Sequence, residues 1–385
     1  METTLSAAEA SPPEDTTPAQ RAHVQRAPRH GDRHAEQHPA TDVLVVGAGV
    51  VGASIAYHLA RAGRAVTVVE RGEVGGGVTS ASFGWVGLAK SEAKAYAEPL
   101  RASAATEFAR LRREGLAPFG LRECGAISWE PTEDETRAFV DEHRAIGHDI
   151  ELIAREEVLA REPGLRTAPA LAAYARGDAA VDPSSLARSL IAAAAAHGAH
   201  ILTATGVTEL LRENGSVTGA LTSRGPIRAA TVVLAAGTAT PALAATLAPA
   251  GGGEASPMLA VDASPSCLLT FATPEPLVRG ILSTPEFELR QRDATTLLAA
   301  EDVPTGFSGD PAELAAETLA GIRSGLAGGA EVTLIDARIG DRPTPRLGTP
   351  LLGFAPGIAG LYVAVAHPGV ILSAAIGRRA AEELA

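Results

Sequence analysis

Cysteine is scarce in this chain: 385 residues carry two, Cys124 and Cys267, far apart and in unrelated contexts. That excludes a disulfide framework and a cysteine-rich metal site, and both read as buried or idle thiols. Positive charge is short as well, with a formal net charge of -12 and no dense Lys/Arg cluster, so a nucleic-acid surface is not expected. Long apolar runs are missing, because Gly, Pro or His interrupts each one before the roughly 20 residues a spanning helix needs. The N-terminus lacks the apolar core of a signal peptide. A cytoplasmic protein without a membrane span is the expectation. The GxSxG, HExxH and P-loop lysine patterns are absent, and with them the usual signatures of a serine nucleophile, a zinc peptidase or a P-loop NTPase. What the chain does have is apolar content: 46% hydrophobic residues and a mean hydropathy of +0.11 suffice for a large core shared by about two domains.

Residues 1–40 are rich in Glu, Pro, Thr, Arg and His without apolar periodicity, a composition that cannot offset the entropy of ordering a backbone. They read as a disordered tail. Its His23, His30, His34 and His38 leave two readings, a solvated biased segment or a metal-binding one, since His34 and His38 would share a helix face. No helix is predicted there, and no metal is assigned.

From Asp42 the pattern changes. VLVVGAG is a continuous apolar run ending in glycine, as a strand buried on both faces reads. A helix follows, with Ile55, Ala56, Leu59 and Ala60 on one side and Gly63 as its stop, and AVTVVE at 65–70 is a second buried strand. Pro99 opens a helix carrying Leu100, Ala104, Phe108 and Leu111 and ended by Gly115. Residues 130–164 read as charged surface helices. The helix beginning at Pro183 stops at Gly198. HILTATGV reads as a strand, followed by a hairpin turning at Asn214 and Gly215. TVVLAAGT is a strand ending at Gly237, and residues from about 245 to 335 read as mostly β.

Gly47, Gly49 and Gly52 form GxGxxG directly after a strand and at the mouth of a helix, with Glu70 ending the next strand. The first glycine permits the tight turn, the second lets backbone approach a pyrophosphate, and the third lets helix pack on strand. The helix start, with Val50 and Val51, offers free N–H groups and about half a positive charge to phosphates. Glu70 can accept from a ribose 2'-OH, which favours an adenosine ribose without a 2'-phosphate. This local motif does not separate NAD from FAD. The loop RGEVGGGVTSASFGWVG that follows, with Arg71, Gly77, Thr79, Ser80 and Ser82, suits close contact with a second stretch of phosphate and sugar.

These residues resemble a family, the FAD-dependent oxidoreductases of the D-amino acid oxidase type, which include glycine oxidase and sarcosine oxidase. The resemblance is carried by VLVVGAGVVGASIAYHLARAGRAVTVVERG, GGGVTSASFGW, VDPSSLARSLIAAAAAHGAHILTATGV, VVLAAGT, RPTPRLGTPLLG and YVAVAHPGVILSAAIG. It implies an α/β fold: a Rossmann-type FAD-binding domain of the GR2-like kind, from 41–90, 151–245 and 336–385, and a mostly antiparallel β-sheet substrate domain from 91–150 and 246–335. It also implies a second cofactor contact at the C-terminal corner, where His367, Pro368, Gly369 and Val370 pass beside the flavin. A helix from about Ile371 would point its N-terminus at the ring. Val207 would contact adenine and Gly237 would approach the dinucleotide.

The reaction implied is hydride transfer from the carbon bearing an amine nitrogen to the flavin, giving an imine. Oxygen or another acceptor then reoxidises the cofactor. Such chemistry needs no side-chain acid or base. A substrate carboxylate needs a cationic anchor, and Arg342 in GDRPTP resembles the family's carboxylate-binding arginine. Read as a strand, EFELRQR puts Glu286, Glu288, Arg290 and Arg292 on one face and Phe287, Leu289 and Gln291 on the other. Arg290 and Arg292 are therefore further carboxylate candidates, unless that face is solvated. The sequence also departs from the family. Its only lysines are Lys90 and Lys94, so the downstream lysine that serves oxygen activation in sarcosine-oxidase-type members has no counterpart. The positions of covalent flavin attachment in relatives lack the Cys or His they require, so FAD is expected to be non-covalent. Two other readings stay open here, an NAD-dependent dehydrogenase and a non-catalytic flavin-binding accessory protein.

Overall fold

The structure is a computed structural model and describes residues 41–87, 99–116, 118–247 and 259–385. The His-rich tail and both lysines, Lys90 and Lys94, lie outside the described residues. Eight α-helices occur within them: α1 (Val50–Arg61), α2 (Pro99–Arg113), α3 (Glu133–Ala145), α4 (Arg155–Arg161), α5 (Pro183–Ala196), α6 (Thr240–Ala245), α7 (Ala315–Gly325) and α8 (Gly369–Leu384).

A six-stranded sheet has the order Leu351–Phe354, Leu361–Val365, Thr231–Leu234, Val43–Val46, Val66–Val69, His200–Leu202. All its pairs are parallel except that of the Leu351–Phe354 edge strand. The central strands Val43–Val46 and Val66–Val69 are buried at every position, which explains why they read as unbroken apolar runs. Val43, Val45 and Val68 join a cluster with Ile55, Leu59, Leu186, Leu190, Ile371 and Ile376 of α1, α5 and α8. Leu44, Val46 and Val69 join another with the sheet Val207–Glu213, Ser216–Thr222, Gly225–Arg228. Each fully buried Leu or Ile in these layers contributes about 1.5–3 kcal/mol of transfer free energy.

The second large sheet has eight strands, in the order Thr333–Pro345, Val261–Ala272, Thr296–Asp302, Glu288–Asp293, Ile281–Ser283, Ala126–Ser128, Leu171–Ala175, Ile150–Ala154. It is antiparallel but for the pairing of Ile281–Ser283 with Ala126–Ser128. One face packs Leu269, Phe271, Leu289 and Leu297 against Ala315 and Ile322 of α7.

Several sequence expectations are corrected here. The segment 130–164 is not helical throughout, since the strand Ile150–Ala154 separates α3 from α4. HILTATGV stops pairing at Leu202, and α7 interrupts the stretch read as β. The terminal helix begins at Gly369, two residues before the expected Ile371. Ile150–Ala154, Leu171–Ala175 and Thr333–Pro345 belong to the eight-stranded sheet, so boundaries drawn near 151 and 336 cut through it. The hairpin turn is as read, with Asn214 at φ 49° and Gly215 at φ 86°. The fold class is also as read, an α/β Rossmann-type layer joined to a mostly antiparallel sheet.

Candidate active site

At the first corner, Gly47 has a φ of +104°, and a Cβ there would lie 2.5 Å from the Ala235 carbonyl oxygen. A Cβ on Gly52 would overlap the Gly47 carbonyl oxygen, so Gly52 lets α1 close onto the turn and does not itself reach the cavity described below. A Cβ on Gly49 would meet only Thr79 Oγ1, at 3.2 Å. Glu70 fixes the turn: its Oε2 accepts from Ala48 N at 2.8 Å and its Oε1 from Gly72 N at 2.8 Å. A carboxylate offers about four lone-pair directions, and two remain for a ligand hydroxyl. Thr79 Oγ1 accepts from Val50 N at 3.2 Å, which leaves its own proton free to donate. Ser80 and Ser82 donate back to Gly77 O and Val78 O and face a ligand as acceptors only.

The second corner is the start of α8. Neither N-cap residue, Gly49 of α1 or Pro368 of α8, makes a side-chain cap, and neither helix has an acidic residue in its first turn; at α1 Thr79 takes only the Val50 N–H, so both starts keep positive potential for an anion. The two starts adjoin, since a Cβ on Gly369 would lie 3.6 Å from Val51 Cγ2. They open onto one cavity of about 1500 Å³. Its lining takes in every residue the sequence assigned to the cofactor except Gly52: Gly47, Gly49, Val50 and Val51 from the first turn, Glu70, Arg71, Gly77, Thr79, Ser80 and Ser82 from the loop, Val207 and Gly237, and His367 to Ile371.

Arg342 comes to the same cavity from the strand Thr333–Pro345. Its Nε donates to Ser264 O at 3.1 Å, and its Nη2 donates to Ser264 Oγ at 3.1 Å and Pro265 O at 3.3 Å. Asp302, almost fully exposed, lies 3.5 Å from Nη2. These contacts hold one edge of the guanidinium and leave Nη1 for a ligand.

The other two arginine candidates are corrected. Arg290 is 3% exposed and does not line the cavity; its Nε donates to Phe83 O and its Nη2 to Val181 O at 3.0 Å. Burial lowers its pKa to about 10, and the side chain is spent tying the loop at Phe83 to the chain before α5. Arg292 stays at the surface, paired with Asp293 at 3.2 Å. Alternation along EFELRQR gave the face but not the depth, and regular pairing begins only at Glu288.

His367 keeps an exposed face on the cavity, but partial desolvation by the cavity walls, then the positive fields of Arg342 and Arg101, lower its pKa to about 4. Its ring opens onto the cavity yet is neutral at pH 7. Arg101, on α2, also lines the cavity and was not foreseen as a site residue. The available signal was an arginine in register with Ala104, Phe108 and Leu111 on the buried side of that helix.

The donor set fits a dinucleotide: uncapped helix starts for a diphosphate, a glycine whose Cβ would intrude, a carboxylate for a ribose and a second helix start beyond. Together with the mostly parallel sheet, covered by helices on one face and by a three-stranded sheet on the other, this defines a dinucleotide-binding protein. The chain belongs to the DAO family of FAD dependent oxidoreductases, whose model matches residues 42–383. It is 30% identical over 362 residues to glycine oxidase of Pseudomonas aeruginosa, covering 88% of this chain and 93% of that one. Among solved structures, glycine oxidase from Geobacillus kaustophilus superposes with a TM-score of 0.78 at 27% identity, over 90% of this chain and 94% of that one. Glycine oxidase from Bacillus cereus superposes equally well, with a TM-score of 0.78 at 24% identity, over 89% and 94% of the two chains. The cofactor is FAD and the chain is an FAD-dependent oxidoreductase, so the NAD reading falls.

Proposed function

We propose that this enzyme oxidises the carbon–nitrogen bond of an amino acid or small amine, with Arg342 holding a substrate carboxylate. The observation that carries the reading is the meeting of Arg342 with both helix starts in one cavity. FAD, when bound, would supply the two-electron sink for this oxidation, with the amine proton going to solvent and the resulting imine open to hydrolysis by water. The chain contributes position and field. The start of α1, with Thr79, would hold the diphosphate, Glu70 would accept from the ribose, and the start of α8 would offer positive potential to an anionic ring edge. Arg342, fixed by Ser264 and Pro265, orients the substrate, and neutral His367 adds no charge at pH 7. No side-chain acid or base is assigned.

The FAD is non-covalent in this reading, and oxygen or another acceptor reoxidises it. The six-stranded sheet with its helices forms the cofactor part, built from 41–90, 151–245 and 336–385 less the strands Ile150–Ala154, Leu171–Ala175 and Thr333–Pro345, which belong to the other sheet. The eight-stranded sheet roofs the substrate. The enzyme works in the cytoplasm. Cys124 and Cys267 are both free thiols, and no described helix is long and apolar enough to cross a membrane.

The test is an anaerobic titration of the purified yellow protein with glycine, sarcosine, D-amino acids, L-proline and simple amines. Bleaching of the flavin band by one class supports the reading and names the class. A flavin that no amine reduces points to the accessory-protein alternative and overturns it.

A further inference from the structure

Trp85 follows the loop that brings Thr79, Ser80 and Ser82 to the cavity, and it lines that cavity itself. It is 5% exposed and sits at the seam of the two large sheets, clustered with Ala126 and Ile281 of the eight-stranded one. Its indole Nε1 donates to Asp178 Oδ2 at 2.6 Å, across 93 residues of sequence.

Asp178 does not line the cavity. Its side chain is buried beside the ring, with the residue 5% exposed, and taking a carboxylate out of water is costly unless hydrogen bonds satisfy it. A phenylalanine at position 85 would fill the seam with no partner to provide, so the carboxylate is a costly way to keep one ring in one orientation. Asp178 is itself held: Gly125 N donates to its carbonyl oxygen at 2.9 Å. A Cβ on Gly87 would fall 2.2 Å from its Cγ, so only glycine lets the chain pass that close.

The backbone that carries Trp85 does not depend on the indole bond. Arg290 donates to Phe83 O, Val181 N donates to Gly84 O at 2.8 Å, and Trp85 and Val86 pair with Ala180 and Ala179. What the carboxylate adds is the direction of the side chain, because without an acceptor the buried Nε1–H would be left unpaired until the ring turned toward the cavity. Leu268 and Ala300, paired on neighbouring strands of the eight-stranded sheet, also line the cavity and add apolar surface to that of the indole.

We propose that Trp85 is a specificity-determining wall of the substrate site, with Asp178 as its positioning residue, and that the substrate is an amino acid or amine whose apolar side chain lies against the indole. This rests on the amine-oxidising reading above and narrows its substrate class. Asp178 acts only through the ring.

The test reads kcat/KM along glycine, alanine, 2-aminobutyrate and norvaline, with both enantiomers of each chiral member. For one enantiomer the value should rise by about fourfold for each methylene group buried on the wall. Trp85→Ala should flatten the series while FAD stays bound. Asp178→Leu, which removes the acceptor, should flatten it likewise, mainly through KM, and Asp178→Asn, whose amide oxygen can still accept from Nε1, should restore most of it. The chain has two tryptophans, Trp85 and Trp129, so in a Trp129→Phe background the emission reports Trp85 alone: its maximum should shift in Asp178→Leu and hold in Asp178→Asn. The unaltered protein supplies the series even if a variant folds poorly. A flat series in the unaltered protein, a series that stays steep in Trp85→Ala or in Asp178→Leu, or loss of FAD as the only effect of either variant overturns the proposal and leaves amine oxidation standing. A flavin that no amino acid or amine bleaches defeats the parent reading, and this inference with it.

Discussion

Val51 and Gly369 stand at the starts of helices from opposite ends of the chain, yet a Cβ on Gly369 would lie 3.6 Å from Val51 Cγ2. The helices are kept that close further along by glycine: a Cβ on Gly377 of α8 would overlap Ser54 Oγ of α1 and would lie 2.8 Å from His58 Cδ2. Ser54 is fully buried, so nothing there can yield cheaply.

Gly377→Val should therefore force α8 away from α1. Overpacking of this kind costs about 1–3 kcal/mol. We expect a lower midpoint in urea and a reduced flavin content in the folded protein. An unchanged midpoint would show that the contact between the helices is looser than described.

Glu70 should matter to the cofactor and not to substrate choice. Glu70→Ala removes the acceptor that holds Ala48 N and Gly72 N together with the ribose contact. With about 1.5–3 kcal/mol for hydrogen bonds to a charged group, the dissociation constant for FAD should rise at least about tenfold. Fluorescence titration of the apoprotein measures it, and equal affinity in the variant would remove Glu70 from the site.

Arg290 and Arg342 should separate cleanly. Arg290→Met leaves Phe83 O and Val181 O without the donor they now share, at about 1–3 kcal/mol for each buried group left unpaired, so its defect should be lost stability. Arg342→Gln should instead raise the KM for a carboxylate substrate while the melting temperature stays close to that of the parent. The reverse pattern would exchange the two roles.

Acid should weaken the fold through His58. The ring is 8% exposed, and burial lowers its pKa to about 4 despite Glu114, with Arg61, Arg378 and Arg110 adding to the effect. The native ring stays neutral while the unfolded one takes a proton near its ordinary value of about 6.5. Between these values the unfolded chain binds more protons, so stability falls as pH drops from about 6.5 toward 4, by up to about 3 kcal/mol, and is level above pH 7. Urea unfolding at pH 7, 5.5 and 4.5 should show the slope, and His58→Gln should flatten its own share of it.

The glycine corners were legible because their chemistry is local: a strand, a turn that needs glycine and a helix start lie within a dozen residues of each other. The closing corner could be assigned only by resemblance, since nothing in HPGV says what it faces. Alternation in EFELRQR could not show that Arg290 lies under Phe83 and Val181, because both partners are remote in sequence. Arg101 was missed for the opposite reason, as one cation in an apolar stripe looks like an imperfection of the pattern. The division of strands between the two sheets depends on pairings such as Ala126–Ser128 with Ile281–Ser283, which leave no trace in composition.

The central claim is that the two helix starts hold one FAD between them. Flavin released per chain by denaturation, measured for the parent, for Gly49→Val at the first corner and for Gly369→Val at the second, tests it most directly. The account predicts about one free FAD per parent chain and severe loss from either variant while both remain folded. Full retention of FAD in a folded Gly369→Val protein would contradict it.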